Sequence, residues 1–298
     1  MKRILKSPLV LCILTYLALW LLVVAIHFPY DTGSPKQVDG EQAFYNVAYS
    51  PADEQKYVEI ATRAAKQFRI EENVRAFVKD YALESTKVLD VGAGRGYLQD
   101  VVDDYTGLDI SESAARFFHK PFVLGSATQM PFPDASFDAA WSIWVLEHIP
   151  NPEGALREMR RVVKPGGYLY LRAAWNCSPF AADGYIVRPY SDFGVSGKLK
   201  KASAHILDSP AVRASYLVPI RWLRSTFASK PTRLRYRALT PNYARYWQTD
   251  SDAVASIDHS EVLLWFESRG DKCLWLPEQE ALVVQIGHPT FFGADTSG

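Results

Sequence analysis

The sequence predicts an α/β domain built on a doubly wound, mostly parallel sheet of seven strands. From residue 87 to residue 173, short apolar runs with strand character alternate with helical segments. Such alternation is typical of a parallel sheet that is covered by helices on both faces. Near the end of the chain, two further strand-like runs are separated only by Pro277 to Glu280, a spacing typical of a hairpin.

The first element in chain order is an apolar segment, Pro8 to Phe28, which contains no Asp, Glu, Lys or Arg. At about 1.5 Å per helical residue, this segment would cross a hydrocarbon layer of about 30 Å. It is longer than the apolar core of a signal peptide, and His27-Phe28-Pro29-Tyr30 is a poor cleavage site. We therefore expect residues 1–28 to be a single-pass membrane anchor, with a cleaved signal peptide as the alternative.

The elements after the anchor follow from the pattern of apolar residues. Residues 29–50 contain Pro, Gly and Ser without a clear period and are expected to be a linker. The domain itself is expected to occupy residues 51–298, beginning with two helices over 52–82. The remaining predicted elements are strand 87–91, helix 97–103, strand 105–109, helix 112–119, strand 121–124, strand 136–142, helix 152–163, strand 167–173, helix 254–268 and strands 272–276 and 281–286.

A glycine-rich sequence, Asp90-Val91-Gly92-Ala93-Gly94-Arg95-Gly96, follows the first predicted strand. Glycines at the carboxyl end of a strand let the backbone approach a ligand closely. Asp109 ends the next strand, where an acidic residue commonly holds a pair of ribose hydroxyls. The glycines follow the spacing G-x-G-x-G rather than G-x-G-x-x-G, so a dinucleotide and a nicotinamide dehydrogenase are not favoured.

These segments, and four that follow them, resemble the class I S-adenosylmethionine-dependent methyltransferases, in particular those of the type 11 family. Gly125–Phe132 is similar to the family's G-D-A-x-x-L-P-F segment, and Ser136-Phe137-Asp138 to its S-F-D. Leu146–Ile149 is similar to L-E-H-I, and Arg161–Gly167 to the L-K-P-G-G turn. The resemblance implies a Rossmann-like methyltransferase fold and S-adenosylmethionine as the cofactor. It covers 87–173 well, the final hairpin loosely, and residues 1–50 and 185–249 hardly at all.

The resemblance also implies roles for residues at the strand ends. Asp90 and the glycine loop would hold the amino-acid part of the cofactor, Asp109 would bind the ribose, and Ile110 would lie against the adenine. Ser126 stands where the family usually has an acid, and a hydroxyl accepts the adenine amino hydrogen more weakly than a carboxylate does. The expected cofactor-binding residues are Asp90, Gly92, Ala93, Gly94, Gly96, Asp109, Ile110, Ser126, Ala127 and Ser142.

His148 follows the fourth predicted strand on the cofactor side of the sheet and is the candidate catalytic base. The methyl group of a sulfonium is already activated, so a base is needed only if the acceptor is a hydroxyl or a protonated amine. A packing or helix-start histidine is the alternative interpretation. The candidate acceptor-binding residues are Trp144, Trp175, Arg188 and Tyr190. The sequence indicates no metal site.

The net charge is zero because regions of opposite charge balance. Residues 185–249, within an insert at 175–250, contain twelve Lys and Arg against two Asp, a net charge of +10. Basic and aromatic residues mixed in this way suit an anionic membrane surface, a phosphorylated lipid or an acidic glycan, and nucleic acid is less favoured. A solvated positive face is the alternative. The three cysteines, one inside the apolar segment, exclude a disulfide-stapled scaffold.

Together these features predict a membrane-anchored, S-adenosylmethionine-dependent methyltransferase with a small-molecule, lipid or glycan acceptor. The alternative is a non-catalytic protein of the same fold that binds a ligand or a partner at the membrane. The side of the membrane is left open. Lys2, Arg3 and Lys6 place the domain outside the cytoplasm by the positive-inside rule, whereas the family's cofactor is made in the cytosol. The acceptor atom and the oligomeric state are not indicated.

Overall fold

The computed structural model describes residues 7–27, 40–50 and 54–287, and the side chains of residues 22–27 and 54–56 lie outside this description. The helices that precede the sheet are α1 (Pro8–His27), α2 (Glu41–Ala48), α3 (Glu54–Gln67) and α4 (Ile70–Asp80). The two helices expected over 52–82 are found as α3 and α4. Much of the expected linker lies outside the described residues, but its last part forms α2 instead of irregular chain.

Helix α1 contacts the rest of the protein through Trp20, whose Nε1 donates a hydrogen bond of 3.2 Å to the main-chain oxygen of Ser215. Within the described residues, no helix has both the length and the apolar character needed to cross a membrane. The expected anchor is therefore not confirmed, and it stays a prediction from the sequence.

Seven strands of the described chain form one sheet, and the candidate functional site lies at the carboxyl ends of its parallel strands. In chain order they are β1 (Lys87–Val91), β2 (Asp104–Asp109), β3 (Phe122–Leu124), β4 (Phe137–Ile143), β5 (Val163–Arg172), β8 (Lys272–Leu276) and β9 (Ala281–Gln285). A separate antiparallel pair consists of β6 (Tyr236–Ala238) and β7 (Ala255–Ile257). The sheet order is β3-β2-β1-β4-β5-β9-β8. Strands β1 to β5 run parallel, and β9 is antiparallel to β5 and β8, as the sequence predicts.

Successive residues of the central strands point to opposite faces of the sheet. Because helices cover both faces, both sets of side chains are buried. In β1, Leu89 packs in the same layer as Leu156 of helix α5 (Pro152–Val162) and Trp265 of helix α8 (His259–Glu267). Its neighbour Val88 packs on the other side with Phe77 of α4. Helices on both faces thus close the apolar core around the middle of the sheet.

Three expected helices differ from those found. Residues 97–103 form consecutive turns instead of a helix, and the amide of Gln99 holds this segment by donating to the main-chain oxygen of Phe117. Residues 112–117 form a short 3₁₀ helix. The last expected helix begins at His259, because the side chain of Asp258 caps it by accepting a hydrogen bond from the main-chain N–H of Ser260.

The basic insert folds into a helical hairpin, α6 (Val195–Leu207) and α7 (Pro210–Phe227), for which the sequence pattern had indicated no elements. The hairpin is fastened to the chain that follows β5. The Ser178 hydroxyl donates to the carboxylate of Asp208, and Arg213 Nη1 donates to the main-chain oxygen of Asn176 at 3.0 Å. The insert is therefore a structured part of the domain.

A buried ion pair joins α5 to the turn before β8, and we expect it to contribute strongly to stability. Asp271 accepts hydrogen bonds from Arg160 Nε at 2.7 Å and from the main-chain N–H of Gly287 at 2.8 Å. Asp271→Ala would leave both donors without this partner, so we expect the free energy of unfolding to fall by about 3 kcal/mol in urea titrations. Asp134→Ala breaks the exposed pair with Arg161 and should cost less than about 1 kcal/mol. Equal losses in the two variants would contradict this.

Candidate functional site

The loop after β1 is built around two close approaches that exclude any side chain. A Cβ on Gly92 would lie 2.3 Å from Val145 Cγ2, and one on Gly94 would lie 2.8 Å from the Tyr49 hydroxyl oxygen. The φ angles of these two glycines, +74° and +50°, are also unfavourable for other residues. The loop is therefore held against both neighbours with its main chain facing the cleft.

Asp109, at the end of β2, connects this loop to the next segment. Its Oδ2 accepts a hydrogen bond of 2.8 Å from the main-chain N–H of Gly94, and its Oδ1 accepts one of 2.8 Å from that of Ser111. Burial raises the pKa of Asp109, and these main-chain donors lower it only in part. Because a carboxylate has about four lone-pair sites, its oxygens can still accept hydrogen bonds from a bound diol.

Asp90 lies at the same edge of the sheet, one strand over. It accepts a hydrogen bond of 2.8 Å from the hydroxyl of Tyr105, and both groups are buried. Burial raises the pKa of Asp90 to about 7, although this hydrogen bond acts in the opposite direction. A nearby positive charge would favour its ionised form.

Helix α2 forms an aromatic cover over the loop. Its Gln42 donates to the main-chain oxygen of Ile110 at 3.2 Å, and Asn46 accepts from the Ser111 hydroxyl at 2.9 Å. The ring of Tyr45 in this helix packs against that of Tyr49, which in turn meets Tyr57 of α3 edge to face. The segment that was expected to be a linker therefore supplies one wall of the site.

The cleft under this cover has two connected cavities. The first, of about 410 Å³, is lined by Asp109, Ile110, Ser126 and Ala127 among others, and is called the nucleoside cavity. The second, of about 450 Å³, lies toward the end of β5 and is called the acceptor cavity. The two cavities share the wall residues Tyr49, Tyr57, Gly92, Trp144 and His148.

The nucleoside cavity has the chemistry of an adenosine site. An acid stands at its ribose end, apolar Ile110 and Ala127 form part of its wall, and the glycine main chain leads out of it. Residues 89–171 match the family model described as a methyltransferase domain. These residues form a class I, S-adenosylmethionine-dependent methyltransferase domain. The cofactor of this class of domain is S-adenosylmethionine.

Similar proteins match a part of the chain of comparable length. A sterol 24-C-methyltransferase of Gibberella zeae is 42% identical over 97 residues, which are 27% of this chain and 26% of that protein. A fatty-acid O-methyltransferase of Mycolicibacterium smegmatis is 35% identical over 99 residues, 29% of this chain and 36% of that protein. The chain thus spans well under half of either relative.

Among solved structures, a similar one is a methyltransferase of Thermotoga maritima that depends on S-adenosylmethionine. It is 14% identical, with a TM-score of 0.44, and the match covers 83% of this chain and all of that one.

Most of the expected cofactor-binding residues line the cleft. Asp90, Gly92, Ala93 and Gly94 face the acceptor cavity, and Asp109, Ile110, Ser126 and Ala127 face the nucleoside cavity. Gly96 lies behind the loop, where a Cβ would meet Gln99 and Phe118. Ser142 lines neither cavity: it is 1% exposed inside β4. The Ser126 hydroxyl shares a hydrogen bond of 2.9 Å with the Thr128 hydroxyl, so part of its hydrogen-bonding capacity is already used.

The expected acceptor-binding residues divide into two pairs. Trp144 and Trp175 line the acceptor cavity. Arg188 and Tyr190 line neither cavity, because their side chains are engaged within the insert. Arg188 pairs with Asp192 and lies over an aromatic ring, and the ring of Tyr190 receives the Lys201 ammonium at 5.1 Å.

His148 lies inside a buried group of acids. Its Nδ1 is 3.5 Å from Asp252 Oδ2, and its Nε2 is 3.9 Å from Glu147 Oε1. Burial alone lowers the pKa of His148, but the carboxylates of Asp252, Glu147 and Asp250 outweigh it and bring the pKa above its ordinary value. The same Asp252 oxygen accepts a hydrogen bond of 2.9 Å from the hydroxyl of Tyr45.

Sequence patterns could not identify several residues of this group. Asp252 follows the insert, far from any recognisable motif, and Tyr45 lies in the expected linker. The four-residue spacing of Tyr45 and Tyr49 is a helical signal that could have extended the domain to include α2. The described residues contain no group of three or more His, Cys, Asp or Glu side chains that could hold a metal ion.

Replacing Asp109 tests the nucleoside cavity directly. We expect Asp109→Ala to weaken S-adenosylhomocysteine binding by about 100-fold, because both the diol acceptor and the clamp on Gly94 are lost. Isothermal titration calorimetry on the full chain measures this affinity. Asp104→Ala, at the exposed start of the same strand, should bind as the unaltered protein does. Unchanged binding by a folded Asp109→Ala variant would contradict the assignment.

The buried acid Glu147 should make stability depend on pH. Burial raises its pKa from about 4.5 to about 7, so the folded state keeps a proton that the unfolded state releases. Stability should therefore fall as the pH rises from 4.5 to 7, by up to about 3 kcal/mol from this residue.

Glu147→Gln removes this ionisation, and we expect a shallower fall of the unfolding free energy over the same pH range. Glu158→Gln serves as the matched control, because Arg161 lowers the pKa of Glu158 below 4.5, so this residue is ionised in both states between pH 4.5 and 7 and its loss should leave the slope there unaltered. The interpretation would be wrong if Glu147→Gln left the pH dependence of denaturant unfolding unaltered.

Proposed function

We propose that the protein transfers a methyl group from S-adenosylmethionine to an oxygen of an apolar, lipid-like acceptor at a membrane. The observation that carries this proposal is the position of His148. Its side chain lines both cavities, so a group held in the acceptor cavity would meet the histidine beside the cofactor residues. A base at this junction suits an acceptor that must lose a proton.

The residues present fit the cofactor. Asp109 would hold the ribose hydroxyls, with Ile110 and Ala127 beside the adenine. Asp90 and the main chain of Gly92–Gly94 would hold the amino-acid end. When bound, the cofactor supplies an activated methyl group on a positively charged sulfur.

The chain's own contribution is to align the acceptor and to receive its proton. Asp252 Oδ2 lies 3.5 Å from Nδ1 of His148, and its negative charge favours the tautomer that carries the proton on Nδ1, so Nε2 is left as a base. When the acceptor oxygen takes the methyl group, its O–H proton would pass to Nε2 of His148. The imidazolium so formed is stabilised by the surrounding carboxylates.

The lining of the acceptor cavity supports an apolar acceptor with a polar end. The wall is largely apolar and aromatic, and it includes Ile60, Ala61, Ala64, Phe68, Ile143 and Trp144. Arg172 is buried at the end of β5, between the rings of Phe68 and Trp144, and its Nε has no hydrogen-bond partner within the described residues. Arg172 also lines the acceptor cavity, and its guanidinium would place a positive charge beside a hydroxyl or carboxylate of the acceptor. The two relatives named above act on a sterol and a fatty acid, both of them lipids.

The membrane location in this proposal rests on the anchor that the sequence predicts. An anchor at residues 1–28 would hold the domain beside the lipid phase and shorten the path of a lipid acceptor to the cleft. The side of the membrane is tested by protease protection of the domain in sealed vesicles.

Incubation of the full chain with methyl-labelled cofactor and a membrane lipid extract tests the proposed function. We expect label in the organic phase that depends on the protein and withstands removal of the cofactor. Cofactor binding without transfer to lipids would favour a non-catalytic binding protein of this fold. Failure to bind S-adenosylmethionine would overturn the proposed methyl transfer.

Variants of His148 and of its neighbour Asp252 test the proposed base through the dependence of the rate on pH. We expect His148→Ala to lower kcat by about 10²- to 10⁴-fold while cofactor affinity is kept, because a positioned base contributes about this much. In the unaltered protein the rate should rise with pH through a pKa above 6.5, since only neutral His148 can accept a proton.

Asp252→Asn removes one of the carboxylates that raise this pKa, so the acid limb of the pH–rate profile should move to lower pH. Asp104→Asn, exposed and distant from the histidine in the sheet, should leave the profile in place. A His148→Ala variant with normal kcat would contradict the proposed base.

A further inference from the structure

The α6–α7 hairpin concentrates positive charge. From Phe193 to Arg233 the chain has eight Lys and Arg and a single acid, Asp208. Half of these cations are used inside the protein. Lys201 is buried against the main-chain oxygens of Tyr185 and Ile186, and the others form ion pairs: Arg213–Asp208, Arg221–Asp258 and Arg224–Glu261.

The remaining cations, Lys198, Lys200, Lys230 and Arg233, are exposed and form no ion pair with any described residue. They lie at the ends of the hairpin, near the start of α6 and just after α7. No exposed carboxylate lies between Gly194 and Arg233 to balance them. This surface therefore attracts anions.

Both helices also expose apolar stripes. In α6, Val195, Leu199, Ala202 and Ile206 recur at helical spacing on the solvent side, and Val195 is 80% exposed. In α7, the exposed apolar residues are Val218, Trp222, Leu223 and Phe227, with Trp222 at 64% and Phe227 at 74% exposure. A helical pair with so much exposed apolar surface marks an interaction site.

The combination of these features favours a lipid surface as the occupant. Apolar stripes flanked by lysines are the composition of helices that lie in the interface of an anionic membrane. Helix α1 is joined to α7 through Trp20 and also exposes leucines, such as Leu9 and Leu17. The turn between α6 and α7 and the start of α7 are bonded, through Asp208 and Arg213, to Ser178 and Asn176, which closely follow Trp175 of the acceptor cavity.

We propose that the exposed faces of α6 and α7 insert into the interfacial layer of an anionic bilayer, with Lys198, Lys200, Lys230 and Arg233 at the headgroups. This surface would dock the protein at the membrane that contains the acceptor, so the inference rests on the proposed function. It can be tested apart from that function, because lipid contact is measured without turnover.

Lipid contact is measured with the full chain reconstituted into vesicles. Cys12→Ser removes the exposed native thiol, and an environment-sensitive fluorophore is then attached to Leu199→Cys, Trp222→Cys or Leu124→Cys. Leu124 is the matched control, because it is an exposed leucine on β3 at the opposite part of the fold. The Cys12→Ser chain without a new cysteine measures background labelling.

We expect nitroxides on the lipid acyl chains to quench the labels at residues 199 and 222, but not the label at residue 124. Quenching should weaken when phosphatidylserine is omitted. Lys198→Gln with Lys200→Gln should lower the ratio of docked to undocked protein by about tenfold.

Equal, weak quenching at all three positions would overturn the proposal, whether or not the protein transfers methyl groups. Energy transfer between labelled copies, without quenching by lipid, would show instead that this face binds a second copy of the chain and would also overturn it. Loss of turnover with lipid quenching intact would leave the docking surface standing and would count against the proposed function alone.

Discussion

The reversal of strand order beside β1 is the constraint on which the site depends. Strand β1 lies between β2 and β4, and all three run parallel, so their carboxyl ends meet at one edge of the sheet. Chains leaving neighbouring strands in opposite directions open a crevice at such a point. The glycine loop after β1, Asp109 after β2 and His148 after β4 therefore surround a single cleft. Trp175, after β5, closes its far side.

The cleft contains more buried acidic side chains than buried basic ones. Burial raises the pKa values of Glu41, Asp90 and Glu147 to about 7, so their charged forms are held at a cost. The positive charge of His148 acts in the opposite direction on the pKa values of Glu41 and Glu147. A cationic ligand would lower the cost of their charge, and so would protonation of the histidine. An acidic cleft of this kind therefore suits both the sulfonium cofactor and a step in which His148 gains a proton.

The basic side chains of the insert have two different roles, although all of them count equally toward its net charge. Pairs such as Arg221–Asp258 and Arg224–Glu261 join α7 to the start of α8, and these arginines therefore stabilise the hairpin's position. The lysines and the arginine at its ends are left for solvent or a ligand. A count of charges along the chain adds these groups together, whereas their different burial gives them different functions.

The sequence by itself determined the sheet and the nucleotide side of the site. Short apolar runs and the glycine loop are local signals, so β1, β2 and β4 and the positions of Gly92 and Asp109 at the strand ends could be predicted from neighbouring residues. The helix expected at 97–103 could not be corrected in this way, because a side-chain bond from Gln99 to a later segment overrides local propensity.

Only the tertiary structure decided which groups surround His148. The hydroxyl of Tyr45 and the carboxylate of Asp252 are 207 residues apart, yet they share a hydrogen bond beside the imidazole. No local motif specifies such a pair, because the folding of the chain around the sheet brings the two segments together. The tertiary structure likewise placed Arg188 and Tyr190 outside the cleft, because the direction in which the insert leaves the sheet is not specified by any local pattern.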